Sequence, residues 1–178
     1  MVRNGLASKS LKSISLLHRK KRLNGRQVLE ITIKPATIKD LETLYQIERE
    51  CFTIEAFSKK HITYLLQNPN TLNLVAHANG EIAGFIIGLI YRHNKMVTGR
   101  VYTLDVAVKH RRKGVGLKLL SELEQIFLEK GVKICYLEVR VDNVAALELY
   151  RKHGYVEVEK LKHYYTGIHG IRLKKKLI

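Results

Sequence analysis

The chain is short of cysteine, short of acid and without a long apolar run. Only Cys51 and Cys135 occur in 178 residues, which excludes a disulfide framework and fits a reducing compartment. The longest apolar stretch, Ile82 to Tyr91, is interrupted by glycines and falls far short of the roughly 18 residues of a membrane span. No N-terminal apolar stretch has the length of a secretory signal. A soluble, cytoplasmic protein is expected, with no membrane attachment. Against 32 Lys and Arg stand only 16 Asp and Glu, a formal net charge of +16. That balance calls for an anionic partner: RNA, an acidic protein or a polyphosphate ligand. The 8 histidines form no HExxH or other ligand spacing, so no metal is expected. Neither cysteine has the surroundings of an activated nucleophile.

Acid is missing altogether from residues 1–29, which hold Lys and Arg but no Asp or Glu and culminate in HRKKRLNGR, His18 to Arg26. This stretch reads as a basic N-terminal extension. A solvated tail, an arm contacting RNA or the ribosome, and a mitochondrial presequence are its three readings. Residues 30–178 are enough for one core and short for two.

From Glu30 the periodicity changes repeatedly. EITIKPA alternates as a strand, and Thr37 with Asp40 three residues on is a helix-start signal close to a capping box. Ile38, Leu41, Leu44, Ile47 and Cys51 recur at helical spacing. A second helix is expected from Ser58 to the stop at Asn68-Pro69. Two β-rich runs flank Asn79-Gly80, a strong hairpin signal, and RVYTLDVAV (Arg100 to Val108) is a further strand. Helical spacing returns at Val115 and ends at Gly131. A strand Lys133 to Arg140, a helix Asn143 to His153 and two β runs, Tyr155 to Lys162 and Tyr165 to Leu177, complete the order βααβββαβαββ. An α+β domain with a mixed, three-layer sheet follows.

RRKGVG, Arg111 to Gly116, stands between a strand and the N-terminus of a long helix. A helix start leaves N–H groups unpaired and carries partial positive charge, so phosphate settles there readily. Gly114 and Gly116 remove Cβ atoms that would hold a pyrophosphate off the backbone. The spacing is neither GxxxxGK[ST] nor GxGxxG. A basic helix-start loop with no ligand is the plain alternative.

Arg111-x-x-Gly114-x-Gly116 resembles the acetyl-CoA pyrophosphate loop, [Q/R]xxGx[G/A], of the GNAT acetyltransferases. It follows LDV (Leu104 to Val106) and precedes LEVRVDNVAALELYRKHGY (Leu137 to Tyr155). That later segment is similar to one in the RimI-type and NatA-type protein N-terminal acetyltransferases, and KHYYTG (Lys162 to Gly167) matches their Tyr-Tyr loop. The resemblance runs from about Ile31 to Leu177 and implies a GNAT fold, acetyl-CoA as cofactor and protein or peptide N-termini as acceptors. It implies that Leu104, Asp105 and Val106 pair through their backbones with the pantetheine arm. Arg111, Arg112, Lys113, Gly114, Val115 and Gly116 would cradle the pyrophosphate. Asn143 would orient the cofactor and the neighbouring tyrosine, and Tyr150 would protonate the departing thiolate. Glu138 matches the glutamate of the LEVR strand and is the first candidate base, with Glu55 in CFTIEAFS the second. Phe52, Glu55, Tyr164 and Tyr165 lie on the substrate side, where the chain departs from the family: CFTIEAFS lacks Pro-Trp, and YYTGIHGIRL lacks the Glu-Asp that commonly follows the tyrosines. An α-amine near pKa 8 suits a weak base better than lysine near 10.4 does. A lysine or small-amine acetyltransferase is the enzymatic alternative; a basic RNA- or ribosome-docking module with a vestigial acetyl-CoA site is the alternative of another class.

Overall fold

The computed structural model describes residues 30–52, 54–94 and 96–177, together with a backbone pairing of Arg22–Leu23 with Arg26–Gln27. Apart from that pairing, the basic extension lies outside the described residues. Seven strands follow: β1 (Ile31–Pro35), β2 (Thr71–Ala78), β3 (Glu81–His93), β4 (Met96–Val106), β5 (Ile134–Arg140), β6 (Val156–Tyr165) and β7 (Ile168–Lys176). The helices are α1 (Leu41–Cys51), α2 (Lys59–Gln67), α3 (Val115–Glu129) and α4 (Val144–Lys152). The succession is the one read from periodicity. The strands form one sheet in the order β1-β2-β3-β4-β5-β7-β6.

Local chemistry sets most of the helix ends. The capping box at Thr37 is formed: its N–H donates to Asp40 Oδ2 at 2.7 Å, and its hydroxyl accepts from the Lys39 N–H. It opens a 3-10 turn that runs into α1. Ser58 caps α2 through the His61 N–H, and Asn143 caps α4 through the Ala146 N–H. Capping of this kind is worth about 1 kcal/mol each.

Alternate residues of the central strands enter opposite cores. Leu74, Ala76 and Ile86 face α3 and α4 with Leu119, Leu123 and Phe127. Val75, Phe85 and Ile87 face α1 and α2 with Leu44, Ile47 and Ile62. A sheet clothed on both faces gives the three layers.

Three boundaries differ from the expectation. β4 begins at Met96 and closes a hairpin on β3, because His93 pairs with Met96. The chain turns at Thr166 and Gly167, so Tyr164 and Tyr165 end β6 and do not begin β7. Val108 belongs to a short 3-10 turn beyond β4.

Candidate active site

The site is made by a failure of pairing. β4 and β5 are parallel neighbours, yet their register covers only Thr98–Ile134, Gly99–Cys135 and Arg100–Tyr136. Beyond those pairs β4 continues to Val106 and β5 to Arg140 without facing each other, and the sheet opens into a wedge. A β-bulge at Tyr102, where Ile87 pairs with Thr103 and Gly88 with Val101, bends β4 at the start of the opening. The resulting cleft has a volume of about 880 Å³. Its walls include Leu104 and Val106 of β4, the loop from Arg111 to Gly116, Asn143 and Tyr150 of the α4 segment, and Phe52 and Glu55 after α1.

One end of the cleft is a cradle. The first i→i−4 bond of α3 runs from the Lys118 N–H to the Gly114 carbonyl, so the N–H groups just before it have no acceptor within the helix. Gly114 has φ +83, a conformation L side chains rarely adopt, and Arg112 has φ +60. A Cβ at Gly114 would meet nothing within 4 Å, and one at Gly116 would make only ordinary contacts, 3.6 Å to Leu149 and Val106. Within the protein, backbone conformation is what Gly114 supplies. Arg111 is also engaged within the protein. Its Nε donates to the Val106 carbonyl at 3.1 Å and its Nη2 approaches Cys51 Sγ at 3.4 Å, so the guanidinium ties the loop to β4 and α1. Lys113 Nζ donates to the Lys109 carbonyl at 2.7 Å.

Along β4 the backbone groups divide by alternation. The Ala107 N–H donates to the Ala83 carbonyl, which turns Asp105 two residues earlier towards β3, opposite Phe85. A Cβ on Gly84 would lie 2.5 Å from the Asp105 carbonyl oxygen. The backbone groups of Leu104 and Val106 face the open side. Of the three expected edge residues, Asp105 is thus committed to the sheet.

Tyr150 is buried and lines the cleft. Burial, and then the charges of Asp105 and Tyr165, push its phenol well above the ordinary range, so it is a protonated donor. The Asn143 side-chain oxygen is used in capping α4, so it fixes the helix that carries Tyr150 and makes no side-chain bond to the tyrosine itself.

Glu138, the first candidate base, does not line the cleft. Arg100 Nε donates to its Oε2 at 2.7 Å and Arg172 Nε to its Oε1 at 2.9 Å. Two guanidinium groups thus occupy the carboxylate, which is only 6% exposed. Glu55 is in the cleft wall, but it too is engaged: Oε1 accepts from the Thr166 N–H at 2.9 Å and Oε2 from Arg140 Nη1 at 3.4 Å. It straps the loop after α1 to the β6–β7 turn. Tyr164 accepts from Arg100 Nη2 at 3.0 Å, and its ring meets that of Tyr165 edge-on at 5.1 Å. Burial pushes the Tyr165 phenol up. Phe52 sits at the C-cap of α1, its N–H bonded to the Glu48 carbonyl.

Sequence reasoning missed Arg100, Arg172, Arg140 and Thr166, whose roles depend on strands brought together by topology. It also passed over Glu48, although that position follows Leu44 by four on the apolar stripe of α1. A carboxylate on a buried stripe was the available signal.

Residues 41–155 match the model of the acetyltransferase (GNAT) family, and the chain belongs to that family. It is 30% identical over 146 residues to an N-alpha-acetyltransferase of Sulfurisphaera tokodaii, spanning 77% of this chain and 87% of that protein. Among solved structures, the ribosomal-protein-S18-alanine N-acetyltransferase of Escherichia coli superposes with a TM-score of 0.72 at 26% identity, over 83% of this chain and 94% of that one. Ard1 of Thermoplasma volcanium superposes with a TM-score of 0.74 at 26% identity, over 83% and 98%. As a member of that family, the enzyme depends on acetyl-CoA. Among the described residues no helix is long and apolar enough to cross a membrane.

Proposed function

We propose that this protein transfers acetyl from acetyl-CoA to the α-amino group of protein or peptide N-termini, by direct attack of the amine on the thioester. The observation carrying the reading is that one cleft joins an anion cradle at α3 to an acceptor end bounded by Phe52, Glu55 and the β6–β7 turn. Acetyl-CoA supplies an activated acyl group on a thiol leaving group. The residues bind, orient and move protons around it. The free N–H groups at the start of α3 take the pyrophosphate, with Arg112 and Lys113 adding charge. Leu104 and the Val106 N–H offer a strand edge to the amides of the pantetheine arm, while the Val106 carbonyl holds Arg111. Tyr150 holds a proton for the sulfur as the carbon–sulfur bond breaks. Tyr164 and Tyr165 flank the entry of the acceptor, and Glu55 keeps its two walls together. Residues 30–178 carry this activity, and the basic extension, 1–29, stands apart from it. With both cysteines free thiols, the reducing cytoplasm suits the protein.

Mass spectrometry of a peptide panel incubated with acetyl-CoA tests the reading. Free N-termini should be acetylated, whereas peptides blocked at the N-terminus with an internal lysine free should give almost no product at pH 7.5. Equal reaction of the blocked peptides would replace this function with lysine acetylation. The extension, with uncompensated positive charge, is assigned to RNA or ribosome contact. Removing residues 1–26 should leave peptide acetylation intact and abolish salt-sensitive RNA binding; unchanged RNA affinity would reject that role.

A further inference from the structure

Two buried acids have no task in the reaction as described. Glu48 of α1 and Asp105 of β4 are each 1% exposed. One oxygen of each is satisfied: Glu48 Oε1 accepts from the Phe57 N–H at 2.9 Å, and Asp105 Oδ2 from the Thr103 hydroxyl at 2.8 Å. The other two, Glu48 Oε2 and Asp105 Oδ1, are buried without any other partner. Glu48 and Asp105 act on each other's ionisation across the packing of α1 on β4, and two buried carboxyls in that relation favour a proton between them. Asp105 belongs to the cleft wall, as does Tyr150.

The surroundings give the pair no cation of its own. Arg111 bonds Cys51 and the Val106 carbonyl instead of either acid. Cys51, at the end of α1, keeps its proton: burial and the Asp105 charge push its thiol up to about 11. From β4 Tyr102 faces Glu48, its phenol pushed up by burial and its hydroxyl bonded to His61 of α2. Burial raises both acids, and the Glu48 charge raises Asp105 further. Burial and mutual repulsion therefore both favour a proton on the pair, which titrates as a unit.

We propose that Glu48 and Asp105 together are the proton acceptor for the incoming ammonium, the role for which Glu138 and Glu55 are unsuited by their bonds to Arg100, Arg172, Arg140 and Thr166. The proposal rests on the acetyl-transfer reading. The ammonium gives one proton to the pair, which passes from one proton to two. The amine nitrogen bonds to the thioester carbon and the carbon–sulfur bond breaks. Sulfur takes the Tyr150 proton, and the second amine proton restores Tyr150. The pair then returns its extra proton to solvent, so amide, thiol and one released proton balance the ammonium and thioester.

Asp105→Asn and Glu48→Gln in the full chain test this, since each keeps an oxygen for Thr103 or for the Phe57 N–H. Calorimetric binding of acetyl-CoA within twofold of the wild type verifies the fold. Infrared titration of the acetyl-CoA-free protein should show a protonated carboxyl persisting above pH 7 in the wild type and missing in Asp105→Asn. The kcat/KM of both variants for a free-N-terminus peptide should fall about a hundredfold at pH 7. That deficit should shrink below tenfold by pH 9.5, where an α-amine near pKa 8 is already neutral. A deficit of equal size at every pH, unchanged rates, or a wild type with no protonated carboxyl at pH 7 would each overturn the proposal. Should the wild type use only lysine peptides, the N-terminal reading fails, and the pair is judged by the same comparison on those peptides and by the infrared titration, which needs no turnover.

Discussion

Replacing Gly114 with alanine isolates what the cradle asks of its backbone. The residue sits at φ +83 with no protein atom within 4 Å of a Cβ, so the substitution creates no clash within the free protein, where its cost is conformational. Holding an L residue in the left-handed region costs roughly 1–2 kcal/mol. The free protein has two responses. If the loop keeps its shape, the whole cost appears as lost stability and acetyl-CoA affinity is unchanged. If the loop relaxes, stability recovers but the cost returns on binding, and 1.4 kcal/mol is a tenfold rise in Kd. The two losses should therefore sum to about 1–2 kcal/mol however they divide. Urea unfolding gives the first and isothermal titration with acetyl-CoA the second. Gly114→Val, with a stiffer side chain, should exceed the alanine total and raise Kd at least tenfold. Gly116→Ala is the control for stability, because its Cβ would meet neighbours no nearer than 3.6 Å, and its urea midpoint should match the wild type. A Gly114→Ala protein with neither quantity changed, or a Gly116→Ala protein equally destabilised, would refute the reasoning.

Tyr150→Phe should lower kcat by roughly a hundredfold with acetyl-CoA affinity nearly unchanged; a drop below threefold in single-turnover acetylation removes the tyrosine from proton transfer. Glu138→Gln should leave the shape of the pH–rate profile intact, because its carboxylate is held by Arg100 and Arg172; a flattened acid limb would restore it as the base. Asp105→Asn should become progressively more stable than the wild type as pH rises. The raised acid stabilises the fold fully below its unfolded value, near pH 4, and that contribution is lost as pH climbs towards the folded value. Across this window the difference grows by about 1.4 kcal/mol per pH unit, so denaturant midpoints at pH 5 and pH 9 that differ equally for both proteins would contradict it.

The sequence by itself determined the elements and one half of the site. Periodicity gave the succession of strands and helices because each element's apolar spacing is local. Thr37, Ser58 and Asn143 declared helix starts because a cap bonds N–H groups two or three residues away. The cradle was legible for the same reason: its glycine and its helix N-terminus are neighbours in the chain. Tertiary structure alone decided the rest. That β7 lies between β5 and β6 is not written in either strand, and it is this order that sets Arg172 against Glu138. The wedge between β4 and β5 comes from a parallel pairing that stops after Arg100 and Tyr136, where no residue on either strand announces an end. Whether a glutamate can accept a proton depends on which charges the fold brings to it. Glu138 meets two arginines, while Glu48 and Asp105, separated by 57 positions, are buried with no cation among the described residues bonded to either. Pairing across the sheet and exclusion from water set those environments, and neither is a property of the local sequence.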